Sequence, residues 1–73
     1  MALAKQWLGN IPTKCDLCPE IITDRFYDVA IPRTGGRWGI LCSPCFKKEH
    51  CELGVGSGQY YTEVDGKFIK VGG

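Results

Sequence analysis

From Phe26 to Ile31 aromatic and aliphatic residues run almost unbroken, and they read as a strand. Phe26, Asp28 and Ala30 share one face of it; Tyr27, Val29 and Ile31 share the other. Pro32-Arg-Thr-Gly-Gly36 is a turn cluster, and Arg37-Trp-Gly-Ile-Leu-Cys42 is a second strand, so 26–42 is expected to form a β-hairpin. Ser43-Pro44 has the chemistry of a helix start, Ser as N-cap and Pro in the first helical position. Phe46, His50 and Leu53 then recur at i, i+4 and i+7, one helical stripe that Gly54 should end. Gln59–Val64 and Lys67–Val71 flank Asp65-Gly66, a strong short signal for a hairpin, here placed at 59–71. Trp38, Phe26, Ile40, Phe46, Tyr60 and Phe68 are the candidate core. The expected fold class is small α+β.

In residues 1–13 Gly9 and Pro12 interrupt any regular element. The expected organisation is a flexible N-terminal arm over 1–13 and a single domain over 14–73, whose metal-binding character follows from its cysteines below. Trp7 is the exception in the arm. An aromatic this large either docks on the core or waits for a partner, and it is a candidate interface anchor.

Seventy-three residues allow one domain, with an apolar core too small to be stable by itself. Five cysteines are an odd number, which argues against a closed disulfide framework. No stretch reads as a signal peptide or a membrane span, so the expected location is the cytoplasm, where thiols stay reduced. The net charge of +1 is too low for a protein that binds nucleic acid chiefly through phosphates. The charges fall in blocks, however. Arg33, Arg37, Lys47 and Lys48 make 31–48 basic, whereas Asp16, Glu20, Asp24 and Asp28 make 15–30 acidic. Such segregation suits a protein surface as partner.

Two of the cysteine spacings carry chemistry. Cys15-x2-Cys18 and Cys42-x2-Cys45 are separated by 23 residues, a spacing that points to one structural zinc ion. A two-residue gap lets one tight turn aim both thiolates at one ion, and two pairs complete a tetrahedron. All four ligand positions are then filled, leaving none for an activated water. His50 or Cys51 in place of a member of the second pair breaks that paired logic. A redox role for Cys42-Ser-Pro-Cys45 would need a βαβ context, which is absent from the pattern. Cys51 and His50 are adjacent and would project about 100° apart on a helix, a poor geometry for a thiol and its base. The spacing Gly54-x-Gly56-x-Gly58 follows a helix and opens a strand, the reverse of a phosphate loop. No catalytic constellation emerges, and the expectation is a protein that is not an enzyme.

The order of knuckle, hairpin and helix bearing the second pair resembles the treble-clef zinc fingers, with a zinc ribbon as the alternative. The chain length and the start Met-Ala-Leu-Ala-Lys-Gln-Trp-Leu resemble small zinc-binding transcription regulators of lytic Xanthomonas phages. That resemblance implies a monomer in the cytoplasm of the infected bacterial host. It implies binding to host RNA polymerase, possible proximity to nascent RNA, inhibition of initiation and antitermination. It implies neither membrane nor small-molecule substrate. On this reading the candidate partner-binding residues are Trp7, Arg33, Arg37, Lys47 and Lys48. The rival expectation is a nucleic-acid-binding zinc module.

Overall fold

The computed structural model describes residues 5–73. Four strands, β1 (Arg25–Ile31), β2 (Arg37–Leu41), β3 (Gly58–Val64) and β4 (Lys67–Gly72), form one antiparallel sheet in the order β2-β1-β3-β4. A short helix, α1 (Ser43–Lys48), follows β2 and is the one α-helix among the described residues. The fold is therefore small α+β, as the pattern implies. Both expected hairpins are present, but they are not separate units. β1 pairs β3 from Arg25↔Thr62 to Val29↔Gly58, which welds them into one sheet.

Each turn has a local cause. The tip of the first hairpin is a 3-10 turn, Pro32–Thr34. Thr34 Oγ1 donates to Ile31 O at 2.9 Å and accepts from Arg37 N at 3.2 Å, tying the outgoing strand to the incoming one. In the second hairpin Asp65 (φ 52°) and Gly66 (φ 80°) are both left-handed, the type I′ geometry that matches strand twist. Gly58 opens β3 where no side chain fits. A Cβ there would lie 2.6 Å from Glu52 O and overlap Val29 Cγ1, so glycine lets β3 close against β1 and the chain leaving the helix.

The helix is shorter than its apolar stripe suggests. Cys42, not Ser43, is the N-cap, with Pro44 in the first turn. Helical structure ends at Lys48, so His50 and Leu53 lie outside it. His50 is left-handed (φ 55°). Its N–H donates to Lys47 O, and the N–H of Cys51 donates to Phe46 O, both at 3.2 Å. These paired bonds are a Schellman termination with His50 at C′. The physical reason is the polar imidazole four residues after Phe46. A longer helix would carry it under the sheet, whereas the left-handed turn exposes His50 and buries Cys51.

β1 is covered on both faces. Tyr27 stacks on Phe46 of α1 (ring centroids 4.0 Å apart) and on Tyr60 of β3 (4.6 Å), and Val29, Ile31 and Leu41 are buried on that side. On the opposite face Phe26 stacks on Tyr61 at 5.1 Å and meets Phe68 at 5.1 Å. Of the candidate core, Phe26 and Phe68 are buried, while Ile40, Phe46 and Tyr60 are half-buried. Trp38 is not core: it is 51% exposed, because β2 is an edge strand. The fully buried positions that composition did not single out are Val29, Leu41 and Tyr61.

The arm is attached where it is described. Lys70 N donates to Lys5 O (2.7 Å) and Trp7 N to Phe68 O (2.8 Å), so Lys5–Trp7 runs along the outer edge of β4. The Trp7 ring meets Phe26 and Tyr61 edge-on at 5.1 and 5.3 Å, and its Nε1–H donates to Asn10 O at 2.9 Å. Of the two fates open to Trp7, docking on the core is the one observed. The physical reason is that β4 supplies a ladder and the outer side of the Phe26–Tyr61 stack an apolar seat, which the ring closes over. The first four residues of the arm lie outside the described residues.

Two substitutions test this account. Trp7→Ala should lower unfolding free energy by about 2 kcal/mol, below the usual 3–5 for a large aromatic because the ring is only part-buried. Urea denaturation at fixed zinc concentration measures it, and a change under about 0.5 kcal/mol would mean that the docked arm contributes nothing to stability. His50→Gly should raise stability by about 0.5–1 kcal/mol, since a β-carbon is disfavoured in the left-handed region. A loss of stability in the same assay would contradict the Schellman assignment.

Candidate metal centre

The first cysteine pair sits on a knuckle made by its own backbone. Cys15 N donates to Glu20 O (3.0 Å) and Ile22 N to Thr13 O (2.9 Å), and Lys14 bridges Ile21. Pro19 lies in the turn so formed. The second pair sits where β2 becomes α1, with Cys42 as N-cap and Cys45 in the first turn. Knuckle and helix start are far apart in sequence, so something has to hold them face to face.

Asp16 does part of that. Its backbone N–H donates to Ile40 O and its Oδ2 accepts from Ile40 N, both at 2.8 Å. One residue thus closes both outward-facing hydrogen bonds of Ile40 on the β2 edge. Gly39 leaves room for this clamp; a Cβ there would lie 3.2 Å from Asp16 Oδ2 and 2.9 Å from Ile31 Cδ1. Sequence reasoning gave neither Asp16 nor Gly39 a part in the site. Asp16 and its partner Ile40 are 24 residues apart, and nothing in the local pattern signals the contact.

The result is a four-sulfur cluster. The Sγ atoms of Cys15, Cys18, Cys42 and Cys45 all lie within 4.8 Å of one another. Cys18 Sγ and Cys42 Sγ are 3.6 Å apart. A tetrahedral ion with bonds of about 2.3 Å to sulfur sets sulfur–sulfur edges of about 3.8 Å, so the cluster has the size for one such ion. Cys15, Cys42 and Cys45 are buried and Cys18 is half-buried, with none in a disulfide. The four cysteines can hold a single metal ion, and zinc suits them.

The electrostatics fit that use. Burial pushes the Cys15 thiol up, but backbone N–H groups of Cys42, Leu17 and Cys18 outweigh it and hold the pKa down to about 7. The N–H of Cys42 contributes directly, donating to Cys15 Sγ at 3.4 Å. Burial pushes Cys42 and Cys45 up, and for Cys45 the neighbouring thiols of Cys18, Cys42 and Cys15 add to the rise. Four crowded sulfurs cannot all ionise alone; a divalent cation removes that conflict by binding them as thiolates.

Cys51 and His50 stand apart from the four-sulfur cluster. Burial, then the charge of Glu49, pushes the Cys51 thiol up, which makes it a poor nucleophile. Of the candidate partner residues, Arg37, Lys47 and Lys48 are exposed. Arg33 is engaged: its Nε donates to Glu49 Oε1 at 2.9 Å, joining the hairpin tip to the C-terminal cap of α1. That guanidinium holds the Glu49 carboxyl below its ordinary range. Trp7 is not brought to the basic residues. It lies on the sheet face opposite α1, against Phe26 and Tyr61.

Serine at Cys15, Cys18, Cys42 or Cys45 should abolish metal binding and cooperative folding, because metal affinity in such domains is folding free energy, about 10–16 kcal/mol in zinc-finger peptides. Cys51→Ser should keep one metal per chain in native mass spectrometry. Metal retained by Cys42→Ser and lost from Cys51→Ser would reassign the ligands. No protein-family model, no curated protein and no solved structure matches this chain.

Proposed function

We propose that the chain is a non-enzymatic treble-clef zinc module that acts by binding a protein surface. Zinc is the ion favoured for four thiolates in a closed tetrahedral set with a structural role. The treble-clef reading is supported by a knuckle bearing one pair and a helix start bearing the other; a ribbon would have both pairs on β-turns. On the resemblance of its sequence to phage regulators, the surface bound is that of host RNA polymerase, in the infected bacterial cytoplasm. The outcome is inhibition of initiation and antitermination.

The observation that carries this reading is the exposed basic set Arg37, Lys47 and Lys48, mounted on the two elements that lead into and out of the second cysteine pair. Metal binding fixes those elements, and so fixes the charges that meet an acidic surface. Arg33 acts from within: paired to Glu49, it braces the hairpin against the helix end. Trp7 supports the sheet on the face opposite this basic set.

The test is co-purification of the zinc-loaded protein with bacterial RNA polymerase, followed by Arg37→Glu with Lys47→Glu. Binding should fall at least about tenfold through slower association, while zinc content and fold persist. A charge reversal that leaves binding intact would overturn the surface, and failure of the unmodified protein to bind polymerase would overturn the function. The nucleic-acid-binding alternative has its own signature. Affinity for bare DNA or RNA would then fall steeply as salt rises, in proportion to the phosphates neutralised.

A further inference from the structure

On the face of the sheet away from the cysteine cluster, a groove of about 410 Å³ opens between the docked arm and β2. Its lining includes Trp7, Leu8, Trp38 and Tyr61, with Asp28 among them and Lys5 at one side. Two features mark it out. Leu8 and Trp38 are 81% and 51% exposed, a large apolar area for a chain this small. The carboxylate in its midst belongs to the central strand β1 and is half-buried. Among the described residues Asp28 makes no ion pair within 4.0 Å; the two present are Arg25–Asp24 and Arg33–Glu49. The hydroxyl of Tyr61, also in the lining, donates to Gln59 Oε1 at 2.9 Å.

We propose that this groove is a receptor for one cationic side chain of a partner polypeptide, an arginine in an extended segment, with its guanidinium on Asp28 and its flanks against Trp7 and Trp38. A guanidinium is planar, weakly hydrated and stacks on aromatic faces, and its fork matches a carboxylate. A lysine ammonium is more strongly hydrated and offers no plane to stack. Aromatic platforms also bind nucleobases, but every base brings a phosphate, and a half-buried carboxylate in the groove repels it. Burial holds the Asp28 carboxyl above its ordinary value despite the charge of Lys5, consistent with a group that an incoming cation would stabilise. This site stands independently of the basic surface on the helix side.

The probe is the peptide acetyl-Gly-Arg-Gly-amide, titrated into the zinc-loaded full chain and followed by the indole N–H signals of Trp7 and Trp38. Both signals should shift saturably. The same peptide with citrulline, isosteric but uncharged, should shift them at least tenfold less, and the lysine peptide should fall between. Asp28→Asn preserves shape and should cost at least tenfold in affinity; Trp38→Ala, at an exposed position, should keep the fold and weaken binding several-fold. Equal shifts from the arginine and citrulline peptides, or an unchanged affinity in Asp28→Asn, would overturn the proposal. So would stronger saturable shifts from an oligothymidylate, which would make the groove a base-stacking site.

Discussion

Four sulfur atoms crowded within 4.8 Å of one another are the constraint around which the remaining structure is arranged. Left as free thiols they have little reason to converge. Three of them are buried, two are pushed toward the protonated state, and the one held near 7 depends on backbone N–H groups from both halves of the cluster. The convergence is explained once a cation is supplied. The knuckle meets the helix start because β2 ends at Leu41, Cys42 caps the helix, and Asp16 seats the knuckle on Ile40. Hairpin, knuckle and helix start bring the four sulfurs to a spacing that can hold one ion, and an ion bound there would let a short chain do without a large core.

The sheet supplies what apolar packing there is, and it does so from both sides of β1. The helix side is built on the Tyr27–Phe46 and Tyr27–Tyr60 stacks; the other is built on Phe26, Tyr61 and Phe68, closed by Trp7. Neither layer is thick. Each depends on aromatic rings that cover much area for few residues. This division also separates tasks. The helix side carries the cysteines and the basic residues, and the arm side carries the groove around Asp28.

Local chemistry was legible in the sequence; long-range contact was not. The cysteine pairs, the Asp65-Gly66 turn and the extent of both hairpins follow from residues a few positions apart. The union of the hairpins through β1 and β3 has no local signal, since alternation fixes a face and not a neighbour. The same holds for Asp16, whose partner is 24 residues distant. The helix end misled for a different reason. Phe46, His50 and Leu53 match a helical period, but the burial of Cys51 and a left-handed His50 outweigh periodicity. Trp38 misled because an aromatic in a strand reads as core, whereas its strand is an edge.

The sheet's two margins are both occupied. Lys5–Trp7 lies along β4, and at β2 the single side chain and backbone of Asp16 take both free groups of Ile40. An open margin is a template on which a stray strand can grow, so margins of this kind are where small sheets seed fibres and accidental dimers. Here Asp16 interrupts that template at Ile40. The contact that seats the knuckle also blunts the edge, and the concentrated protein should resist strand-by-strand aggregation accordingly.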